Sequence, residues 1–256
     1  MQLLVSVVSE EEVAAAVEGG ADIIDVKNPR EGSLGANFPH VIRLVREKTP
    51  NSLAVSAAVG DVPNLPGTVA LASLGAATCG VDYVKVGLFG VSHKVDAILL
   101  LREVCRAVRD HNPQTKVIAT AYADAHKVGA LPPLALPEVA VESGVDGCML
   151  DTARKGEGNL LTLLDETRLR DFVQQCHNAR LLCALAGSLD EADIPQVCGL
   201  GADIIGVRTA ACQGDRINGR VASEKVRRLK SLIAVSVSPS SVPWTEARPV
   251  APGVPR

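Results

Sequence analysis

The sequence predicts one α/β domain, a single closed (β/α)8 TIM barrel over residues 1–235, followed by a flexible tail over 236–256. Three observations carry that expectation. Eight short β-branched or apolar runs alternate with longer Ala/Leu/Glu/Arg-rich runs of helical period, the pattern of repeated β-α units around a parallel sheet. The length, 256 residues, suits one such barrel. An internal repeat also divides the chain into four.

The strands are expected at 3–7, 23–27, 53–59, 83–89, 117–122, 148–152, 181–186 and 204–208. Helical runs fit between them, among them 10–18, with Ser9 as its N-cap and Gly19 at its end, 95–109 and 169–177. The core draws on Ala, Val, Leu and Ile, since 47% of residues are hydrophobic and only 2% aromatic. From Ser236 onward five prolines interrupt a Ser-rich stretch without apolar periodicity, although Trp244 is a candidate for docking onto the barrel.

The repeat is a tripeptide, Gly-(Ala/Val)-Asp, placed just before every even strand, with aspartates at Asp22, Asp82, Asp146 and Asp203. Their spacings of 60, 64 and 57 residues are the size of two β-α units, so each aspartate marks a quarter of the barrel. Three residues further on stand Asp25, Lys85, Met149 and Gly206; five further on stand Lys27, Gly87, Asp151 and Arg208. Strand side chains alternate with period two, so all eight positions face one way, into the lumen near the strand C-termini. Barrel enzymes build their sites there.

Composition excludes several classes of partner. The net charge of -3, with both signs spread along the chain, gives no footprint for nucleic acid or an anionic membrane. No apolar stretch approaches the length of a transmembrane helix and no signal-peptide pattern opens the chain, so a cytoplasmic location is expected. The seven cysteines are scattered without a C-x-x-C pair and read as reduced thiols. No metal-ligand cluster is spaced along the chain, and neither metal nor cofactor is expected. Apolar barrel helices favour a homo-oligomer.

Asp25, Lys27, Lys85, Asp151 and Arg208 place charge where an apolar side chain would be the default, and charges are rarely buried without a partner. Two lysines sharing a partly dry pocket disfavour each other's ammonium form, so one amine becomes a nucleophile toward an aldehyde or ketone while the other and the carboxylates move protons. Residue type and spacing do not say which amine does which. A phosphate site is expected from Gly187 and Ser188 after the seventh strand, with Gly206, Arg208 and the Gly214-Asp215-Arg216 turn after the eighth. The polar loop 28–39, with Asn28 and Ser33, is expected to cover the substrate, and Asp61 lies on the same face as either a turn or a contact residue. Lys155 and His126 are loop candidates of lower rank.

These residues stand in longer motifs: GGADIIDVKNP at 19–29, EGSLGANFP at 31–39, VGDVP at 59–63, YVKVG at 83–87, YADA at 122–125, MLDTA at 149–153 and CALAGS at 183–188. Together they resemble the (5-formylfuran-3-yl)methyl phosphate synthase family of methanofuran biosynthesis, from about Met1 to Leu232. The resemblance implies a lyase that condenses two molecules of glyceraldehyde 3-phosphate with loss of phosphate and water. It implies the Schiff-base lysine at Lys27, the proton-transferring lysine at Lys85, and supporting roles for Asp25, Asp151 and Lys155. Apart from the resemblance, the same residues fit another Schiff-base aldolase or isomerase of phosphosugars, or a barrel that binds phosphosugars without turning them over.

Overall fold

Eight parallel strands close on themselves in the computed structural model, which describes residues 1–237. They are β1 (Gln2–Val7), β2 (Ile23–Val26), β3 (Ala54–Ala58), β4 (Tyr83–Gly87), β5 (Lys116–Tyr122), β6 (Gly147–Asp151), β7 (Leu182–Leu185) and β8 (Ile204–Val207). Closure is direct, because β1 pairs in parallel with β2 on one side and with β8 on the other. The helices between and after them are α1 (Val13–Glu18), α2 (Pro39–Lys48), α3 (Pro66–Ala77), α4 (Lys94–His111), α5 (Leu136–Ser143), α6 (Leu160–Leu163), α7 (Glu166–Asn178), α8 (Ile194–Gly199) and α9 (Ser223–Val237). A two-stranded hairpin, β9 (Cys212–Gln213) and β10 (Arg220–Val221), interrupts the connection from β8 to α9. None of the described helices is long and apolar enough to cross a membrane.

The expected strands overlap the observed ones throughout, and the expected alternation of side chains sorts the core into three parts. Leu3, Val5, Ile24, Val26, Cys148 and Leu150 point outward and pack beneath the helices. Leu4, Ile23, Ile118, Met149, Ala184 and Ile204 point inward and fill the lower lumen. Leu34, Ala58 and Tyr122 form a separate plug at the mouth.

The four repeat aspartates do identical work at the other end. The carboxylates of Asp22, Asp82, Asp146 and Asp203 accept the backbone N–H of Leu3, Val55, Val117 and Cys183, at 2.7, 2.7, 2.8 and 2.8 Å. Each of those residues is the second in an odd strand, and its carbonyl accepts the backbone N–H of the same aspartate in return. A side chain from an outer helix meets every carboxylate: Lys230, Arg46, Arg109 and His177. One two-point clasp thus joins each even strand to the odd strand before it, and register is set where the chain enters the sheet.

Three expectations need correction. Ser9 makes no side-chain cap; the segment opens as a tight 3-10 turn, Glu10–Glu12, and the buried Glu12 carboxylate takes the Val8 N–H instead at 2.7 Å. Helix α9 runs to Val237, the last described residue, past the expected end of the helical pattern at 235. The β9/β10 hairpin was not anticipated, its strands being two residues each. The remainder of the expected tail, with Trp244, lies outside the described residues.

Removing one clasp, by Asp82→Ala, leaves a strand-start N–H and Arg46 without their acceptor. The expected cost is about 1–3 kcal/mol, read as a lower urea midpoint at unchanged slope. An unmoved midpoint would show that the clasp is ornamental.

Candidate active site

The strand alternation delivers charge to the upper lumen as expected, and packing then pairs most of it. Asp25 is fully buried on β2. Its carboxylate accepts from Ser6 Oγ on β1 and Ser56 Oγ on β3, both at 2.8 Å, and pairs with Lys85 Nζ on β4 at 2.8 Å. Burial alone would raise its pKa, but the ammonium groups of Lys85 and Lys27 and the hydrogen bonds from Lys85 and Ser56 outweigh that and hold it below the ordinary value. Asp151, at the end of β6, pairs with Lys155 Nζ at 2.7 Å and accepts Thr152 N–H at 2.7 Å. Burial opposes its ionisation too, yet Lys155, Lys27 and those hydrogen bonds bring it down to about 2.

Lys27 is different. Its side chain is buried, with 6% of the residue exposed, and it makes no hydrogen bond or ion pair with any described residue. Desolvation is the largest influence and lowers its pKa; Lys85 and Lys155 lower it further, while Asp151 and Asp25 act against them. The balance is a pKa of about 8, against 10.5 for an ordinary lysine. A substantial fraction of this amine is therefore neutral just above neutral pH, whereas Lys85 and Lys155 each hold a carboxylate.

All three amines open onto one cavity, whose wall also includes Ser6, Met149, Asp151, Gly187, Ser188, Gly206, Arg208 and Arg216. Gly187 lies close against the end of β6, and Ser188 is held at φ 54, a left-handed conformation that non-glycine residues seldom adopt. Its hydroxyl stands 3.3 Å from that of Thr152, which in turn accepts from Lys155.

The expected phosphate ligand Arg208 lines the cavity but its guanidinium is engaged elsewhere. It pairs with the buried Glu12 at 2.7 Å and donates to the carbonyls of Ser6, Arg216 and Gly219. Glu12 also accepts the Val8 and Val221 N–H groups, so the pair ties the ends of β1 and β8 to the hairpin. The loop Arg208 fastens carries Arg216, a half-buried guanidinium with no carboxylate at ion-pair distance among the described residues; it donates to the Gly32 carbonyl at 3.1 Å. Burial lowers its pKa, and Asp151 works against that. Gly219 is required beneath it, because a Cβ there would lie 2.3 Å from the Asp215 carbonyl oxygen. Arg216, in the Gly214-Asp215-Arg216 turn expected at the phosphate site, is thus the arginine on the cavity wall without a carboxylate partner among the described residues.

Loop 28–39 does fold over the barrel mouth, but neither Asn28 nor Ser33 is part of the cavity wall. Asn28 holds the loop's own turn through its bonds to Arg30, Glu31 and Gly35, and Ser33 Oγ is buried with no hydrogen-bond partner in the structure. Asp61 is a loop fastener, accepting from Leu34 N–H at 3.0 Å and from the Tyr122 hydroxyl. Asp124 does the same for the β6 loop, accepting from Ala153 and Arg154 N–H. His126 is exposed outside the cavity.

A closed parallel barrel with a lysine-carboxylate cluster at the C-terminal ends of its strands has the architecture of a barrel enzyme. Solved structures share the fold. A 3-hexulose-6-phosphate synthase from Salmonella typhimurium has a TM-score of 0.63 at 16% identity, covering 92% of this chain and 100% of that one. A phosphoribosyl anthranilate isomerase from Thermus thermophilus has a TM-score of 0.61 at 17% identity, covering 92% and 99%. The chain belongs to the 4-HFC-P synthase family, whose sequence profile matches residues 3–230. It is 52% identical over 233 residues to the (5-formylfuran-3-yl)methyl phosphate synthase of Methanocaldococcus jannaschii, covering 91% of this chain and 99% of that protein. Identity to the protein of the same name from Methanopyrus kandleri is 53% over 234 residues, with the same coverage.

The two arginines should separate cleanly in stability. Arg208→Ala strands the Glu12 carboxylate in the interior and is expected to cost about 3–5 kcal/mol. Arg216→Ala breaks one bond to a carbonyl and should cost about 1 kcal/mol. Chemical denaturation of both variants checks this, and equal losses would overturn the division of roles.

Proposed function

We propose that the protein is a lyase that joins two triose phosphates through a Schiff base on Lys27, forming (5-formylfuran-3-yl)methyl phosphate from two molecules of glyceraldehyde 3-phosphate. The observation that carries the reading is the state of Lys27: a buried, unpaired amine with a pKa near 8, between two lysines that are each held by a carboxylate. The names of the relatives supply the product.

In this reading one glyceraldehyde 3-phosphate isomerises to the ketone, dihydroxyacetone phosphate, by moving a proton between adjacent carbons. The neutral Lys27 amine adds to that carbonyl, water leaves, and an iminium forms. Loss of a carbon-bound proton gives an enamine, which attacks the aldehyde of the second triose phosphate and makes the new carbon–carbon bond. Ring closure and eliminations release the lysine, so that the whole reaction discharges one phosphate and two molecules of water. Lys85, fixed by Asp25, and the Asp151–Lys155 pair stand on the same cavity as the groups that take up and return protons. Gly187, Ser188 and Arg216 receive phosphate, with Gly206 leaving room beside them; the guanidinium of Arg216, without a carboxylate partner among the described residues, complements the anion. The chemistry is assigned to side chains alone, without a cofactor.

The cytoplasm fits this reading, since all seven cysteines are free and buried. Self-association belongs to it as well. Helix α3 carries no charged residue and exposes Leu71, and its neighbour α4 exposes Val95 and Leu99.

Incubation with glyceraldehyde 3-phosphate alone should release phosphate and produce a conjugated furan aldehyde with strong ultraviolet absorbance. Borohydride added during turnover should fix an adduct on Lys27, mapped by peptide mass; an adduct elsewhere, or none, removes the mechanism. Lys27→Arg should abolish turnover, and Lys85→Met should reduce it by about 10²–10⁴-fold. Because the amine must be neutral to attack, kcat/KM should rise with pH and level off above about 8. A profile that falls across that range contradicts an amine nucleophile.

A further inference from the structure

The β3–β5 side of the barrel mouth is stoppered by a device that the chemistry above does not use. Leu34, from loop 28–39, is fully buried and packs with Ala58 and Tyr122, which lie on the inner faces of β3 and β5. Tyr122 is fully buried as well, and its hydroxyl donates to the Asp61 carboxylate, whose other oxygen accepts the Leu34 N–H. Phe89 stands edge-on to the Tyr122 ring at 6.2 Å.

Two glycines exist to let these groups meet. A Cβ on Gly87 would fall 2.2 Å from the Tyr122 hydroxyl, and a Cβ on Gly32 would fall 2.3 Å from Asp61 Oδ2. From the opposite rim Arg216 holds the Gly32 carbonyl. The stopper fills the mouth beside the cavity, and none of Leu34, Ala58, Tyr122 or Asp61 belongs to the cavity wall.

We infer that the Tyr122–Asp61 clasp, with Leu34 as its plug, is a positioning device that keeps water away from Lys27 and so holds its amine in the reactive, neutral form. Lys27 stands one residue before the loop that carries the plug, the β2–β3 register brings its position beside Ala58, and the plug closes on Gly87, the β4 position equivalent to Lys27 in the repeat. The charged groups that act on Lys27 are Asp25 from its own strand, Lys85 from β4, and Asp151 and Lys155 from β6 and the loop after it. Burial is a larger influence than any of these four, and the guanidinium groups of Arg208 and Arg216 line the same cavity. Loosening the plug therefore changes hydration while leaving the local charges in place. Burial and the Asp61 charge push the Tyr122 phenol well above its ordinary pKa, so the hydroxyl remains a donor throughout the working range. The inference deepens the function proposed above and rests on it for its link to turnover.

Tyr122→Phe deletes one hydroxyl, and Leu34→Ala deletes most of the plug; both keep every charge that faces Lys27. Reductive methylation with ¹³C-formaldehyde makes each lysine visible by NMR, and comparison with Lys27→Arg assigns the Lys27 signal. The wild-type midpoint is expected near 8. In both variants it should move up by about one unit or more as the amine is rehydrated. The rising limb of kcat/KM should move with it, with KM changed far less than kcat at neutral pH. An unmoved Lys27 midpoint in both variants, with circular dichroism confirming the fold, overturns the inference, and so does an ordinary midpoint near 10.5 in the wild type. If the midpoints shift but no substrate adduct ever forms on Lys27, the positioning device stands and the proposed reaction falls.

Discussion

The site depends on a carboxylate that has almost no freedom. Asp25 sits inside a closed sheet, and three contacts, from Ser6, Ser56 and Lys85, together with the field of Lys27, keep it ionised there. An ionised group in such a place is tolerable only when its lone pairs are met and a countercharge is close. Its choice of Lys85 as partner decides what remains for the other lysines. With Lys155 on Asp151 and Arg208 on Glu12, the barrel mouth has more cations than carboxylates to hold them, and Lys27 and Arg216 are left over. The unpaired amine and the guanidinium without a carboxylate are products of the same arithmetic of pairing.

That arithmetic explains how far the sequence could be read. Period-two alternation, counted from the four aspartates, was enough to put Asp25, Lys27, Lys85, Asp151 and Arg208 on the lumen face, because pleating leaves a strand side chain only two directions. It could not reveal which charges pair, since pairing depends on reach across strands and on loops whose paths no periodicity fixes. Arg208 illustrates this. Its strand position is that of a site residue, yet its partner Glu12 lies in a segment that reads as an ordinary exposed helix start, and only the fold brings that segment under the hairpin. Asn28 and Ser33 lie off the cavity wall for different reasons: Asn28 satisfies the loop's own turn, and Ser33 is buried with its hydroxyl unpartnered.

Tyr122 and Asp61 show the reverse case. Tyr122 reads as a strand end and Asp61 as either a turn or a contact residue, and each becomes informative through the other and through Gly87 and Gly32, whose missing side chains make the room. Close approach between distant segments is written in sequence as small residues without a visible reason. The reason appears with the third dimension.

The aspartate clasps at the base have a bearing on how the chain could be rearranged. Each ties together two strands and makes the same bonds as the other three, so the boundaries between clasped pairs are seams of equal standing. A circular permutant opened between β2 and β3, β4 and β5, or β6 and β7 would keep all four ties intact. One opened within a clasped pair would cut the connection that delivers its aspartate. The ring therefore has a grain, running in steps of two strands, along which it is divisible.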